Sequence, residues 1–97
     1  MSLARRAWDA APSVRSADAL GWALTRAGRA REALPWAARA LRLGSRDPSF
    51  LLHAGLAAIG AGKRELARER LAMAWSGRAA LTANAQRQLA AAREGLR

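Results

Sequence analysis

Residues able to transfer protons or bind metals are sparse in this chain. His53 is the single histidine, and there is no cysteine and no tyrosine. Acid–base or nucleophilic catalysis needs at least two reactive groups held together in one pocket. The seven acidic residues are spread singly, apart from Glu65 and Glu69, which lie one helical turn apart amid Arg64, Arg68 and Arg70. That spacing predicts charge compensation on a solvated helix face, where each pair contributes tenths of a kcal/mol. His53 stands near the start of an apolar stretch with no second ligand at metal-binding spacing. It reads as a packed or half-exposed structural histidine. The glycines recur at expected helix turns and form no phosphate loop. The expectation is a protein that works through its surface, with no catalytic residue, no metal and no cofactor.

Charge is the next constraint. Seventeen Lys and Arg stand against seven Asp and Glu, a net charge of +10, and Lys63 is the only lysine. A basic surface of this size attracts nucleic acid, anionic lipid or an acidic protein partner. Arg, Ala, Gly and Leu rising together while Lys falls is also what a GC-rich genome gives, and that compositional reading is the preferred one. Arg39, Arg42 and Arg46, with Arg64, Arg68 and Arg70, form the rows on which a nucleic-acid reading would rest, a solvated face being the default. No apolar run approaches the ~20 residues of a membrane-spanning helix. Arg5-Arg6 is followed by Asp9 and Pro12 rather than by an apolar core, so a twin-arginine export signal is rejected. The expected setting is cytoplasmic.

The elements that must position any site are helices. Ala dominates the apolar residues and β-branched residues are scarce, which predicts an all-α fold. A short helix from Ser2 to Ala10 ends before Pro12. Ser13 is the expected N-cap of a helix running to about Ala27, which Gly28 stops as a left-handed C′ residue. A partner helix covers about Ala30 to Leu43. Pro35 within it predicts either a later start or a bent first turn, and Gly44-Ser45 closes it. Asp47-Pro48 opens a helix to Ala61 as N-cap and first residue. That helix is apolar nearly all round, so more than one side should be covered. Lys63 to Ser76 forms the next helix, stopped by Gly77, and Thr82 to the end forms the last.

A 34-residue shift maps Gly21 to Gly55, Gly28 to Gly62, Ala33 to Ala67 and Ala40 to Ala74. A fixed period of this length marks a repeat architecture. Ala17, Leu20, Gly21, Leu24, Ala33 and Ala37, and again Leu51, Ala54, Gly55, Ala58, Ala67 and Leu71, resemble the pattern of the tetratricopeptide repeat (TPR) family. The small residues fit; the family's aromatic positions are mostly Leu or Ala here. The resemblance covers about two-thirds of the chain and implies a right-handed α-solenoid of antiparallel helix pairs. Residues 1–11 then form a half-repeat, 13–46 and 47–80 two full repeats, and 81–97 a capping helix, all in one domain.

The resemblance also implies a concave groove lined by the first helix of each pair. Its positions fall on Arg15, Asp18, Trp22, Thr25 and Arg26, then on Ser49, Leu52, Leu56, Ile59 and Gly60. The family's carboxylate clamp is excluded, since Asp18 and Trp22 occupy two of its places. The expected function is a protein-interaction scaffold that binds a peptide or partner helix. Trp22 would anchor it, Leu52, Leu56 and Ile59 would form an apolar floor, and Arg15 and Arg26 would select acidic residues. The competing expectation is that the terminal helix folds over Leu52, Leu56 and Ile59. Trp8 and Trp75 are expected in core or cap packing and Trp36 on the convex side. Self-association through the groove and nucleic-acid binding through the arginine rows are the alternative functions.

Overall fold

Short polar side chains set where the helices begin. Ser13 and Ser16 form a reciprocal capping box: Ser13 Oγ accepts from the Ser16 N–H at 3.1 Å, and Ser16 Oγ accepts from the Ser13 N–H at 2.8 Å. Asp47 Oδ1 accepts from the Ser49 N–H at 2.8 Å, with Pro48 at the first helical position. Thr82 Oγ1 accepts from the Ala85 N–H at 3.1 Å. The computed structural model describes residues 2–43 and 46–97. Its helices are α1 (Ser2–Ala10), α2 (Val14–Arg26), α3 (Ala30–Arg42), α4 (Pro48–Gly60), α5 (Arg64–Ser76) and α6 (Ala83–Gly95), with a 3₁₀ turn at Arg78–Ala80 before α6. No strand occurs among the described residues. The fold is all-α, and the helix bounds agree with the sequence pattern to within a residue or two. The stop expected at Gly44-Ser45 lies outside the described residues.

The turn between α2 and α3 is reproduced bond for bond between α4 and α5. Ala27, Gly28 and Arg29 donate their N–H groups to the carbonyls of Ala23, Thr25 and Leu24 at 3.0, 3.1 and 2.9 Å. Thirty-four residues on, Ala61, Gly62 and Lys63 donate to Ala57, Ile59 and Ala58 at 3.0, 3.0 and 2.8 Å. Gly28 and Gly62 have φ of 79° and 76°. In each turn the sixth residue bonds back to the first across a left-handed glycine, which closes the Schellman C-cap. The result is two similar hairpins, α2–α3 and α4–α5, with α1 packed on α2 and α6 packed on both α5 and α4.

Within each hairpin the helices meet at the period's other glycine. A Cβ on Gly21 would lie 3.3 Å from Trp36 Cβ, and one on Gly55 would lie 2.4 Å from Leu71 Cδ2. Pro35 remains inside α3, so the alternative of a later helix start is corrected. Pro35 and Arg31 are both exposed, and the Arg31 carbonyl that loses a donor to the proline ring can turn to water.

α4 packs against α2, α3, α5 and α6, which is the covering that its apolar circumference demands. One core cluster joins Leu51 and Leu52 of α4 to Leu71 of α5, to Leu89 of α6 and to Leu81 and Leu96 at that helix's two ends. A second joins Leu20 and Leu24 of α2 to Ala33 of α3 and Ala57 of α4, with Trp8 and Trp36 packed against it. Trp36 therefore meets Trp8 edge-on, with ring centroids 4.9 Å apart.

The row of Arg64, Arg68 and Arg70 is not a uniform solvated face. Arg70 is buried, and its Nη1 donates to the Ala54 carbonyl across the α4–α5 contact at 3.2 Å. Burial lowers its pKa from the usual arginine value, with Glu69 acting in the opposite sense. Arg64 and Arg68 donate to the Leu96 carbonyl at 3.3 and 3.0 Å, satisfying an acceptor that the end of α6 leaves open. Arg68 also pairs with Glu65, the local compensation expected of that spacing.

Glycine substitutions separate the packing contribution from the backbone one. Leu71 is itself buried in the core, and a Cβ on Gly55 would crowd its Cγ, at 2.8 Å, as well as its Cδ2, so the whole side chain has to shift. Gly55→Ala should lose about 1–2 kcal/mol of stability, overpacking offset in part by alanine's helix propensity. Gly95 lacks both a near neighbour and a positive φ, so Gly95→Ala should be neutral or slightly stabilising. Urea midpoints measure both, and equal midpoints for the two variants would refute the close-approach account.

Candidate interaction surface

The face shared by α2 and α4 collects most of the residues expected at a binding site. Asp18, one turn and more into α2, reaches across to His53 of α4. Its Oδ1 and Oδ2 each lie 3.0 Å from His53 Nδ1. A carboxylate only accepts, so Nδ1 carries a proton and donates. The Trp22 ring, one further turn along α2, stacks on the same imidazole with centroids 4.3 Å apart and planes 12° from parallel. His53 is thus held at its edge by Asp18 and on its face by Trp22. The side chains of Asp18 and His53 are 12% and 24% exposed, so the pair is sheltered at the seam but not sealed off from solvent.

The remaining expected positions divide. Arg15 and Arg26 are exposed on α2 and free to meet a ligand. The Thr25 hydroxyl donates to the Gly21 carbonyl at 2.9 Å, so its proton is engaged within its own helix. Ser49 is half-buried, and Leu56 is partly buried against the first core cluster. Ile59 is 37% exposed and offers apolar surface. Leu52 does not belong to an open floor. It is only 1% exposed, packed in the cluster that α6 closes with Leu89. The terminal helix folds over it, as one of the two expectations held, because a fully apolar leucine gains most when all its surface leaves water. Gly60 is exposed, but on the side that approaches α3: a Cβ there would meet Ala30 Cβ at 2.7 Å.

Sequence reasoning placed His53 as a structural histidine but did not connect it to Asp18 and Trp22. The pairing is a contact over thirty-five residues between first helices of successive hairpins. Period alone marks the small packing residues and is silent about such cross-hairpin contacts. The aromatic–arginine contacts were missed as well, although Arg39 with Trp36 and Arg78 with Trp75 are only three residues apart. Arg39 lies over the Trp8 ring at 4.6 Å and the Trp36 ring at 6.0 Å, and Arg5 lies over Trp36 at 5.8 Å. Arg78 and Arg93 each lie over Trp75 at 4.2 Å. These distances are in the range where a guanidinium is attracted to an aromatic face.

No helix among the described residues is long and apolar enough to cross a membrane. No family model, curated protein or solved structure matches the chain. The seam between α2 and α4 is accordingly argued from its own geometry.

Removing the Asp18 carboxylate should free the imidazole edge and cost about 1 kcal/mol. Asp18→Ala and His53→Ala should then couple by about 0.5–1.5 kcal/mol in a double-mutant cycle. Near-UV circular dichroism should fall as the Trp22 ring loses its fixed neighbour. Strictly additive costs with an unchanged tryptophan signal would count against the Asp18–His53–Trp22 arrangement.

Proposed function

We propose that this chain is a non-catalytic protein-interaction scaffold of the tetratricopeptide type. In this reading it is one domain forming a right-handed solenoid of antiparallel helix pairs: a half-repeat over 1–11, full repeats over 13–46 and 47–80, and a capping helix over 81–97. Its ligand is a peptide segment or partner helix laid along the face shared by α2 and α4. The observation that carries the reading is the partly exposed Trp22, fixed by stacking on His53 at the seam between two hairpins whose turns repeat bond for bond.

A pre-positioned tryptophan binds at low entropic cost, because its ring is already immobilised before the ligand arrives. Leu56 and Ile59 extend the apolar surface, while Arg15 and Arg26 favour carboxylates on the ligand. Aromatic and arginine anchors dominate interfaces of this kind. Leu52 has no part in the contact and supports it from below. His53 serves as the platform for Trp22, with one ring nitrogen spent on Asp18, which favours a positioning role over a catalytic one. Nucleic-acid binding is less favoured, since Arg64, Arg68 and Arg70 are turned to carbonyl groups of their own chain.

Trp22→Ala should abolish capture of the partner while far-UV circular dichroism keeps its helical amplitude. Arg15→Glu with Arg26→Glu should weaken capture of an acidic ligand and leave the thermal midpoint near that of the parent, both side chains being exposed. Pull-down or calorimetry with the parent and the variants decides this. Equal capture by Trp22→Ala and the parent would remove the α2–α4 face as the site.

A further inference from the structure

A second surface, lined by none of the seam's residues, lies between α5 and α6. There a groove of about 490 Å³ is floored by Leu71, Ala72, Ala90 and Leu96. Volumes of roughly 300–1,000 Å³ are typical of recessed binding sites. Ala72 and Ala90 are exposed on the two helices, and their small side chains leave room for a third helix to approach closely.

The rim is cationic. Arg68, Arg93 and Arg97 line the groove with one side-chain carboxylate, Glu94, while Arg68 is already paired with Glu65, which does not line it. Arg93 lies 4.2 Å over the Trp75 ring and has no ion-pair partner among the described residues. Arg97 meets Glu94 at 3.5 Å, with both side chains largely exposed. An exposed pair of this kind contributes little and exchanges readily for another carboxylate. The surplus of guanidinium groups selects a negatively charged partner.

The floor also constrains the partner's backbone. An extended peptide would set its N–H and C=O groups against alanine and leucine side chains. The carbonyl available there, that of Leu96, already accepts from Arg64 and Arg68. A helix satisfies its own backbone and has no such demand. From Arg68 to Trp75 the α5 wall runs about two turns, roughly 10 Å. Apolar anchors at i, i+3 or i+4, and i+7 of one helix match that length.

We infer that the α5–α6 groove docks an acidic amphipathic helix of a partner protein. Its apolar stripe lies over Leu71, Ala72 and Ala90, and its flanking carboxylates reach Arg93 and Arg97. Trp75, already held by Arg78 and Arg93, forms the rigid wall. The site is separate from the face assigned to Trp22, and the two can be tested independently.

The test is titration of the isotope-labelled full chain with a synthetic end-capped helical peptide carrying Leu at i, i+4 and i+7 and Glu on its flanks. A second peptide replaces each Glu with Lys. The acidic peptide should shift the amides of α5 and α6 saturably, and the basic one should not bind. Ala72→Glu should weaken the acidic peptide by about tenfold or more, since it fills the groove and places a carboxylate against the peptide's own. Arg97→Glu, at a side chain fully on the surface, should weaken it several-fold and keeps the test open if Ala72→Glu fails to fold. Trp22→Ala should leave the affinity unchanged. Equal binding of both peptides, shifts confined to α2 and α4, or parent-like binding by both groove variants would overturn the inference. A concentration-dependent dimer that Ala72→Glu abolishes would also overturn it, by giving the groove to a second copy of the chain.

Discussion

The structure depends on one demand: α4 is apolar nearly all round and has to be covered on more than one side. An amphipathic helix is satisfied by one neighbour and presents its polar face to water. α4 has no such face over most of its length, and four helices meet it. The two core clusters lie against it, with Leu51 and Leu52 in one and Ala57 in the other. α2, from the other hairpin, and α6, from neither hairpin, both touch α4 and are joined by it. Of the principal interfaces, only those of α1 with α2, α2 with α3 and α5 with α6 do not involve α4.

Close approach is what lets so small a chain cover that helix. Glycine and alanine contribute little burial of their own, but they lower the distance between helix axes and so raise the burial of their neighbours. Gly55 admits Leu71, and Gly60 admits Ala30. The cost is that the backbone interfaces have no slack, because side chains in a dense core cannot give way without opening voids elsewhere. The arginines answer a second consequence. A short helical chain has many helix ends and few carboxylates. Arg64 and Arg68 serve the Leu96 carbonyl, Arg78 serves that of Trp75 at 2.9 Å, and Arg70 serves that of Ala54. Part of the basic composition thus does structural work, whatever its origin.

Helix number, bounds and caps were legible in the sequence because each has a local cause. Ser13, Asp47 and the two left-handed glycines act through hydrogen bonds within a few residues, and such signals survive without tertiary context. The 34-residue period foretold the equivalence of the two turns, which is again a local property repeated. Pro35 was read as forcing a later start or a bent first turn, yet α3 begins five residues before it and runs through it, because exposure of that side of the helix lowers the cost. The candidate site was legible only in its residue types. Asp18, Trp22 and His53 were each noticed, but their mutual contact is set by how two hairpins stack, which no local pattern encodes. Leu52 shows the limit most clearly. The family resemblance put it in the groove, with cover by the terminal helix as the competing reading, and only the placement of α6 decides between them.

The same period explains why α6 differs from α2 and α4. Gly21 and Gly55 are followed, 34 residues on, by Leu89. At the first two positions a missing side chain lets the hairpin partner come close. At the third a full leucine is buried completely in the cluster shared with α4 and α5. A leucine there would obstruct a partner helix seated as α3 and α5 are seated, and it instead ties α6 inward. Leu96 adds to this by occupying the place of the left-handed glycines, 34 residues after Gly62, with an ordinary right-handed backbone and a buried side chain. Leu89 and Leu96 thus turn buried side chains into the core where the corresponding positions of the two hairpins are glycine. The adjacent stripe of Ala72, Ala90 and Arg93 is not closed by them, and this is why the open groove of the molecule lies beside Leu89 and not over it.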